Sequence, residues 1–189
     1  MNDLKSSSDE ELIVLYKSGS EKAFDELFLR YAGRIKRLIY FYLGNNDISD
    51  DIFQDVFIRV YRHIEKFNIS MTFSSWVYQI AINCCKNYFK KSKQNDIIIE
   101  KEKIRLRNSN TFYATPEEQI VNEMDVMEFN KAIESLDLKF KDVFVLRFDH
   151  KMKYNEIAAI LNCSERTAKW RMKKAVNIII HTLKESSII

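Results

Sequence analysis

This 189-residue chain has only three glycines and one proline. That leaves little turn chemistry for an all-β protein, and no alternating apolar–polar stretch marks a strand. With glycine so scarce there is no Gly-rich phosphate loop, which excludes the common nucleotide-binding designs. Cysteine is also sparse. Cys84 and Cys85 are adjacent, Cys163 stands alone, and no C-x-x-C pair exists. The three histidines, His63, His150 and His181, are scattered. These spacings argue against a metal site, and no Ser/His/Asp or Cys/His set suggests nucleophilic catalysis. The expectation is therefore no catalytic residue, no metal, no cofactor and no small-molecule substrate. There is no uninterrupted apolar run of membrane-spanning length. The N-terminus is polar and acidic (Asn2, Asp3, Asp9, Glu10, Glu11) rather than signal-like, so a cytoplasmic location is expected.

What the chain has in quantity is apolar residues at helical spacing: it is 46% hydrophobic and 30% charged, with a net charge of only +3. A short helix is expected from Asp9 to Lys17, ending at Gly19. A long one follows from Ser20 to Leu43, closed by Gly44, with Phe24, Leu27, Phe28, Tyr31, Ile35, Leu38, Ile39 and Tyr42 on its apolar side. A third begins at Asp47 or Ser49 and runs to about Phe67. Thr72 can cap a fourth, from Phe73 to Lys91. The stretch from Ser92 to Ala114 is polar and charged and reads as a linker, apart from Ile97-Ile98-Ile99. Thr115-Pro116-Glu117-Glu118 combines a capping box with proline at the first helical position, and starts a helix to about Ser135. Another covers Leu138 to Phe148. The fold class is thus all-α: two small helical domains, residues 1–91 and 115–189, joined by a flexible linker over 92–114.

The second domain contains the most informative segment, Tyr154 to Ala175. Ile157, Ala158, Ile160 and Leu161 give one helix an apolar face. Asn162 stands where a tight turn needs positive φ, and Ser164 is a good N-cap for the next helix, to about Lys184. Ala168, Met172, Ala175 and Ile179 turn that helix to the core. Opposite them lie Arg166, Trp170 and Lys173, flanked by Lys169 and Lys174. Residues 150–175 hold seven Lys/Arg against two Glu, net +5, whereas residues 116–149 hold four against nine Asp/Glu, net −5. A helix-turn-helix with one packed face and one cationic face is what DNA-groove binding requires. A solvated basic surface helix is the plainer alternative.

In the first domain the third helix turns Asp51, Gln54 and Ile58 outward, with Asp50 and Asp55 at the edges. This surface suits a basic protein partner or is a solvated acidic helix start, and spacing alone does not choose. The fourth helix is apolar nearly all round: Phe73, Trp76, Val77, Ile80, Cys84 and Tyr88 form one stripe, and Tyr78, Ile82, Cys85 and Phe89 another, edged by Lys86, Lys90 and Lys91. Aromatics among lysines suit single-stranded DNA. A central helix packed on both sides has the same pattern.

Three motifs together carry a family resemblance: Asp51-Ile-Phe-Gln-Asp-Val-Phe-Ile58; Phe73-x-x-Trp76-Val-x-x-Ile80-Ala-x-Asn83; and Tyr154-x-Glu-Ile-Ala158 followed by Ser164-x-x-Thr167-Ala-Lys169-x-Arg171. From about Asp9 to Lys184 the chain resembles bacterial RNA polymerase sigma factors of the extracytoplasmic-function (ECF) class. The resemblance implies that Asp50, Asp51, Gln54, Asp55 and Ile58 bind the polymerase core. It implies that Phe67, Asn68, Ser70, Thr72, Trp76, Tyr78, Gln79, Asn83, Lys86 and Lys90 recognise and melt the minus-ten promoter element. Ser164, Glu165, Arg166, Thr167, Lys169, Trp170, Arg171, Lys173 and Lys174 would read the minus-thirty-five element. The implied partners are RNA polymerase core, promoter DNA and an anti-sigma factor. Four residues depart from the family pattern: Asn87 for Asp, Lys151 for Gly, Asp137 for Pro, and Trp170 for a small residue. A stand-alone helix-turn-helix regulator is the alternative function, and a helical protein-binding adaptor a third.

Overall fold

The computed structural model describes residues 4–43, 46–68, 71–95, 128–129, 131–133 and 135–186. The chain divides into two compact units, Met1–Ile104 and Arg105–Ile189. The expected linker beyond Asn95, its isoleucines, the glycine at Gly44 and the capping box at Thr115 lie outside the described residues. Every regular element among the described residues is helical.

Unit one contains α1 (Asp9–Lys17), α2 (Glu21–Leu43), α3 (Asn46–His63) and α4 (Phe73–Asn95). Helix α1 opens with a capping box. The Ser8 hydroxyl accepts from Glu11 N–H at 3.2 Å, and the Glu11 carboxylate accepts from Ser8 N–H at 2.7 Å. It closes on Gly19, whose φ of +99° lets Ser20 N–H reach Leu15 O at 3.0 Å and Gly19 N–H reach Tyr16 O at 2.9 Å. Arg30 then fastens the start of the chain to α2. Its guanidinium donates to Asp9 and Glu26, each at 3.0 Å, and to the Leu4 and Lys5 carbonyls at 3.0 and 3.1 Å. The neighbouring Tyr31 hydroxyl donates to Asp9. Burial, with that carboxylate beside it, raises the Tyr31 pKa.

Helix α2 packs on α1, α3 and α4, and its buried residues Ala23, Leu27, Tyr31, Ile35, Leu38, Ile39 and Tyr42 follow the spacing read from sequence. Helix α3 ends earlier than expected. Its last turn tightens into a 3-10 turn over Ile64–Lys66, with Phe67 N–H on Ile64 O at 3.1 Å. Helix α4 ends later than expected, at Asn95 instead of Lys91. Ser92, Lys93, Gln94 and Asn95 are polar, but none breaks a helix, so the helix continues through them.

Unit two contains α5 (Leu138–Phe148), α6 (Tyr154–Ile160) and α7 (Glu165–Ser186), with helical residues at 128–129 and 131–133. Helix α7 packs against α5 and α6. Its core is Val143, Phe144, Leu146, Ile157, Ala158, Ile160, Ala168, Ala175 and Ile179.

Candidate nucleic-acid and polymerase interfaces

The turn of unit two is built as its sequence requires. Asn162 has φ +48°, and its conformation sends Cys163 N–H back to Ala158 O at 3.0 Å. The Ser164 hydroxyl accepts from Thr167 N–H at 3.0 Å and lies 2.7 Å from the Thr167 hydroxyl. At the start of α6 the Glu156 carboxylate reaches back to Lys153 N–H at 2.7 Å. Lys151 also adopts positive φ, +56°. Arg147 braces the same loop, donating to Met152 O at 2.8 Å with its guanidinium 5.1 Å from the Tyr154 ring.

These local bonds set α7 with Ala168, Ala175 and Ile179 inward and Arg166, Trp170, Lys173 and Lys174 exposed. Arg166, Lys173 and Lys174 have no ion-pair partner among the described residues. Glu165 and Lys169 are also exposed but pair with each other at 2.6 Å, and the Lys169 ammonium stands 5.7 Å from the Tyr154 ring. Such a pair between exposed residues is weak and easily exchanged for a phosphate. Ser164 is exposed but used in capping; Thr167 and Arg171 are half-buried. Sequence reasoning missed Phe140 of α5, whose ring lies 6.0 Å from that of Trp170. That contact is tertiary, and no spacing signals it.

Helix α4 resolves differently. Tyr78 is 1% exposed and Phe67 6%. Both were expected at DNA; in the fold both side chains lie in the core, Tyr78 because α4 packs against α2 and α3, and Phe67, in the loop before α4, through the Phe73 and Trp76 rings. Phe67, Phe73 and Trp76 form a ring cluster with centroids 5.0–5.9 Å apart. What α4 offers outward is a strip spaced three or four residues apart: Thr72, Trp76, Gln79, Asn83, Lys86 and Lys90, exposed or half-buried. The Thr72 hydroxyl caps the helix, accepting from Ser75 N–H at 3.2 Å. Asn68 is exposed beside it, and Ser70 lies outside the described residues.

On α3, Asp51, Gln54 and Ile58 share an exposed stripe, Ile58 being 47% exposed. Asp50 pairs with Lys36 of α2 at 2.8 Å. Asp55 is held by Arg59 at 3.0 Å and accepts from the Cys84 thiol at 3.7 Å. Burial first, and the Asp55 carboxylate beside it, push that thiol up to about 11, although Arg59 opposes the shift. Asp55 therefore joins α3 to α4 as much as it faces outward. The Asp55–Arg59 pair was present in the sequence as an i,i+4 spacing; the thiol was not.

Two helical units, one carrying an acidic stripe on α3 and a cluster of aromatic rings, the other a helix-turn-helix with a cationic outer face, have the make-up of a DNA-binding protein. Residues 27–95 match the family described as Sigma-70 region 2, and residues 132–178 match Sigma-70, region 4. The ECF RNA polymerase sigma-E factor of Haemophilus influenzae is 32% identical over 178 residues, covering 91% of this chain and 93% of that protein. The ECF RNA polymerase sigma-E factor of Escherichia coli K12 is 30% identical over 173 residues, covering 89% and 90%. Among solved structures, the sigma factor RpoE bound to the anti-sigma factor NepR from Bartonella quintana shares the fold, with TM-score 0.66 and 18% identity over 86% of this chain and 98% of that one. CnrH in complex with the cytosolic domain of CnrY does so with TM-score 0.71 and 18% identity over 95% and 99%. The chain belongs to the ECF class of RNA polymerase sigma factors. Members of that class are DNA-binding initiation factors, not enzymes. Among the described residues no helix is long and apolar enough to cross a membrane.

Proposed function

We propose that the two units divide the work of promoter recognition, and that residues 1–91 and 115–189 bound the working modules. Unit one docks on the polymerase core through Asp51, Gln54 and Ile58 of α3, with Asp50 and Asp55 at the rim. The strip Thr72–Trp76–Gln79–Asn83–Lys86–Lys90 then faces the minus-ten element. Unit two lays α7 in the major groove of the minus-thirty-five element, with Arg166 as base reader and Lys169, Lys173 and Lys174 on phosphates. The work takes place in the cytoplasm, on promoter DNA and RNA polymerase core. An anti-sigma protein, such as the NepR bound by the similar sigma factor from Bartonella quintana, is the partner that would occlude these faces.

The observation that carries this reading is the opposed polarity of two exposed stripes: acidic with an exposed isoleucine on α3, cationic on α7. One suits a basic protein surface and the other a phosphate backbone. The test is a pull-down of core polymerase by the full chain. Asp51→Lys and Ile58→Ala should each reduce capture while leaving the helical circular-dichroism spectrum intact, because both side chains are exposed. Unchanged capture by the double variant would remove α3 as the docking helix.

A further inference from the structure

The large apolar group exposed in the first half of α7, among its cationic residues, is Trp170, and nothing in the polymerase-docking or phosphate-binding roles uses it. It lies between Arg166 and Lys173 at helical spacing, opposite the buried Ala168, Ala175 and Ile179, and is 51% exposed. The ring is held from one side. Phe140 of α5, itself only 8% exposed, meets it at 6.0 Å and 57°, and the Lys139 ammonium covers the Phe140 ring at 4.9 Å. A half-exposed indole supported this way presents a rigid apolar edge at little entropic cost. A protein-docking helix would continue such a patch along its face. Here the nearest exposed residues are Arg166, Lys173, Lys174 and Asn177, all polar and mostly cationic, and the next exposed apolar side chain, Ile180, lies nearly three turns further along the helix. The surroundings therefore select nucleic acid over an apolar protein groove. The one apolar feature on the base edges of the major groove is the thymine C5-methyl group.

We infer that Trp170 is a specificity-determining residue of the recognition helix, which packs its indole on a thymine methyl of the upstream promoter element. This rests on α7 lying in that groove, and the experiment separates the two claims. An upstream element is selected from a random library by the full chain assembled with polymerase core. Each thymine in it is then replaced by deoxyuridine, which removes the methyl and leaves every hydrogen-bonding group in place. At one thymine the wild-type complex should lose about fourfold in competitive binding, the worth of one buried carbon. With Trp170→Ala the thymine and deoxyuridine templates should bind equally. The wild-type scan needs no variant, so a folding defect cannot obscure it. Arg166→Ala is the control for the helix itself, and it should flatten preference at a neighbouring base pair.

A wild-type scan flat at every thymine, with Arg166→Ala still erasing base preference, would overturn the Trp170 inference and keep α7 in the groove. Binding that falls with Trp170→Ala but ignores deoxyuridine would also overturn it, making the indole N–H the reader. If neither replacement changes base preference, the placement of α7 falls, and Trp170 with it.

Discussion

Helices α4 and α7 are both expected to face DNA, yet they are built on opposite plans. Helix α7 packs on α5 and α6 along one narrow stripe. One side carries Ala168, Ala175 and Ile179 into the core, and the other exposes Arg166, Trp170, Lys173 and Lys174. Helix α4 packs against both α2 and α3, with Val77, Tyr78, Ala81, Ile82, Cys84 and Cys85 all buried. It has only a narrow polar strip to offer, with Trp76 part of a ring cluster at one end. A helix buried along one narrow stripe can enter the groove of an intact duplex. A helix buried on two sides can only present a strip and aromatic edges, a surface that suits unstacked single strands. Depth of burial, more than composition, separates the two roles.

The largest expected effect breaks α4 from inside. Tyr78→Ala removes a ring that is 1% exposed and should cost about 3–5 kcal/mol, by analogy with other buried aromatic truncations. Asn83→Ala, on the strip, should change stability by less than about 0.5 kcal/mol while lowering promoter opening. Thermal unfolding beside permanganate footprinting of the opened promoter checks both. A stable Tyr78→Ala variant with defective opening would return Tyr78 to the DNA surface.

On α7 the separation is between base and phosphate. Arg166→Ala should cost about 1–3 kcal/mol of discrimination between promoters. Lys173→Ala should weaken binding to all promoters alike and lower the salt slope by about one. Binding titrations of the assembled polymerase at several salt concentrations distinguish the two.

The turn that orients α7 should be nearly as sensitive. Ser164→Ala removes the acceptor for Thr167 N–H and should cost about 0.5–2 kcal/mol. Lys151→Gly should act in the opposite direction, stabilising by up to about 1 kcal/mol, because positive φ suits glycine. Denaturant titration reads both changes.

A smaller effect sharpens the account of unit one. The Cys84 thiol holds its proton in the fold up to about 11, against an ordinary value of 9.0. An acid whose folded pKa is raised keeps its full stabilising contribution below the unfolded value and loses it as pH rises through the folded one. The melting temperature should therefore fall across pH 9 to 11, with Tyr31 acting in the same direction. Cys84→Ala should flatten part of that slope.

The sequence reading succeeded where the signal is local. Thr72, Asn162 and Ser164 sit within three residues of the groups they satisfy, so their caps and the turn were legible. The inward faces of α2 and α7 follow a single period, and they were legible too. Tyr78 was read toward DNA because aromatics beside lysines fit both a stacking platform and a core, and Phe67 by the family resemblance alone. Only the packing of α4 between neighbours decides between those. The end of α4 was misplaced because polarity was taken for a stop, although nothing after Lys91 breaks a helix. Asp55 was read at the edge of the outward face of α3, as part of the polymerase-binding set that the family resemblance implies. Its second partner, Cys84, lies 29 positions away, and only the fold brings them together.

The central claim is that the two stripes act together and only on polymerase. One helix-turn-helix offers few base contacts, each worth about 1–3 kcal/mol, so unit two alone should bind a promoter weakly. Holding both units on core adds their contacts through effective concentration. The most direct measurement is promoter binding and transcription by the purified full chain, with and without polymerase core. The account predicts specific binding and initiation with core and little specific binding without it. Tight, sequence-specific binding to duplex DNA in the absence of core, with activity unaffected by Asp51→Lys, would contradict it.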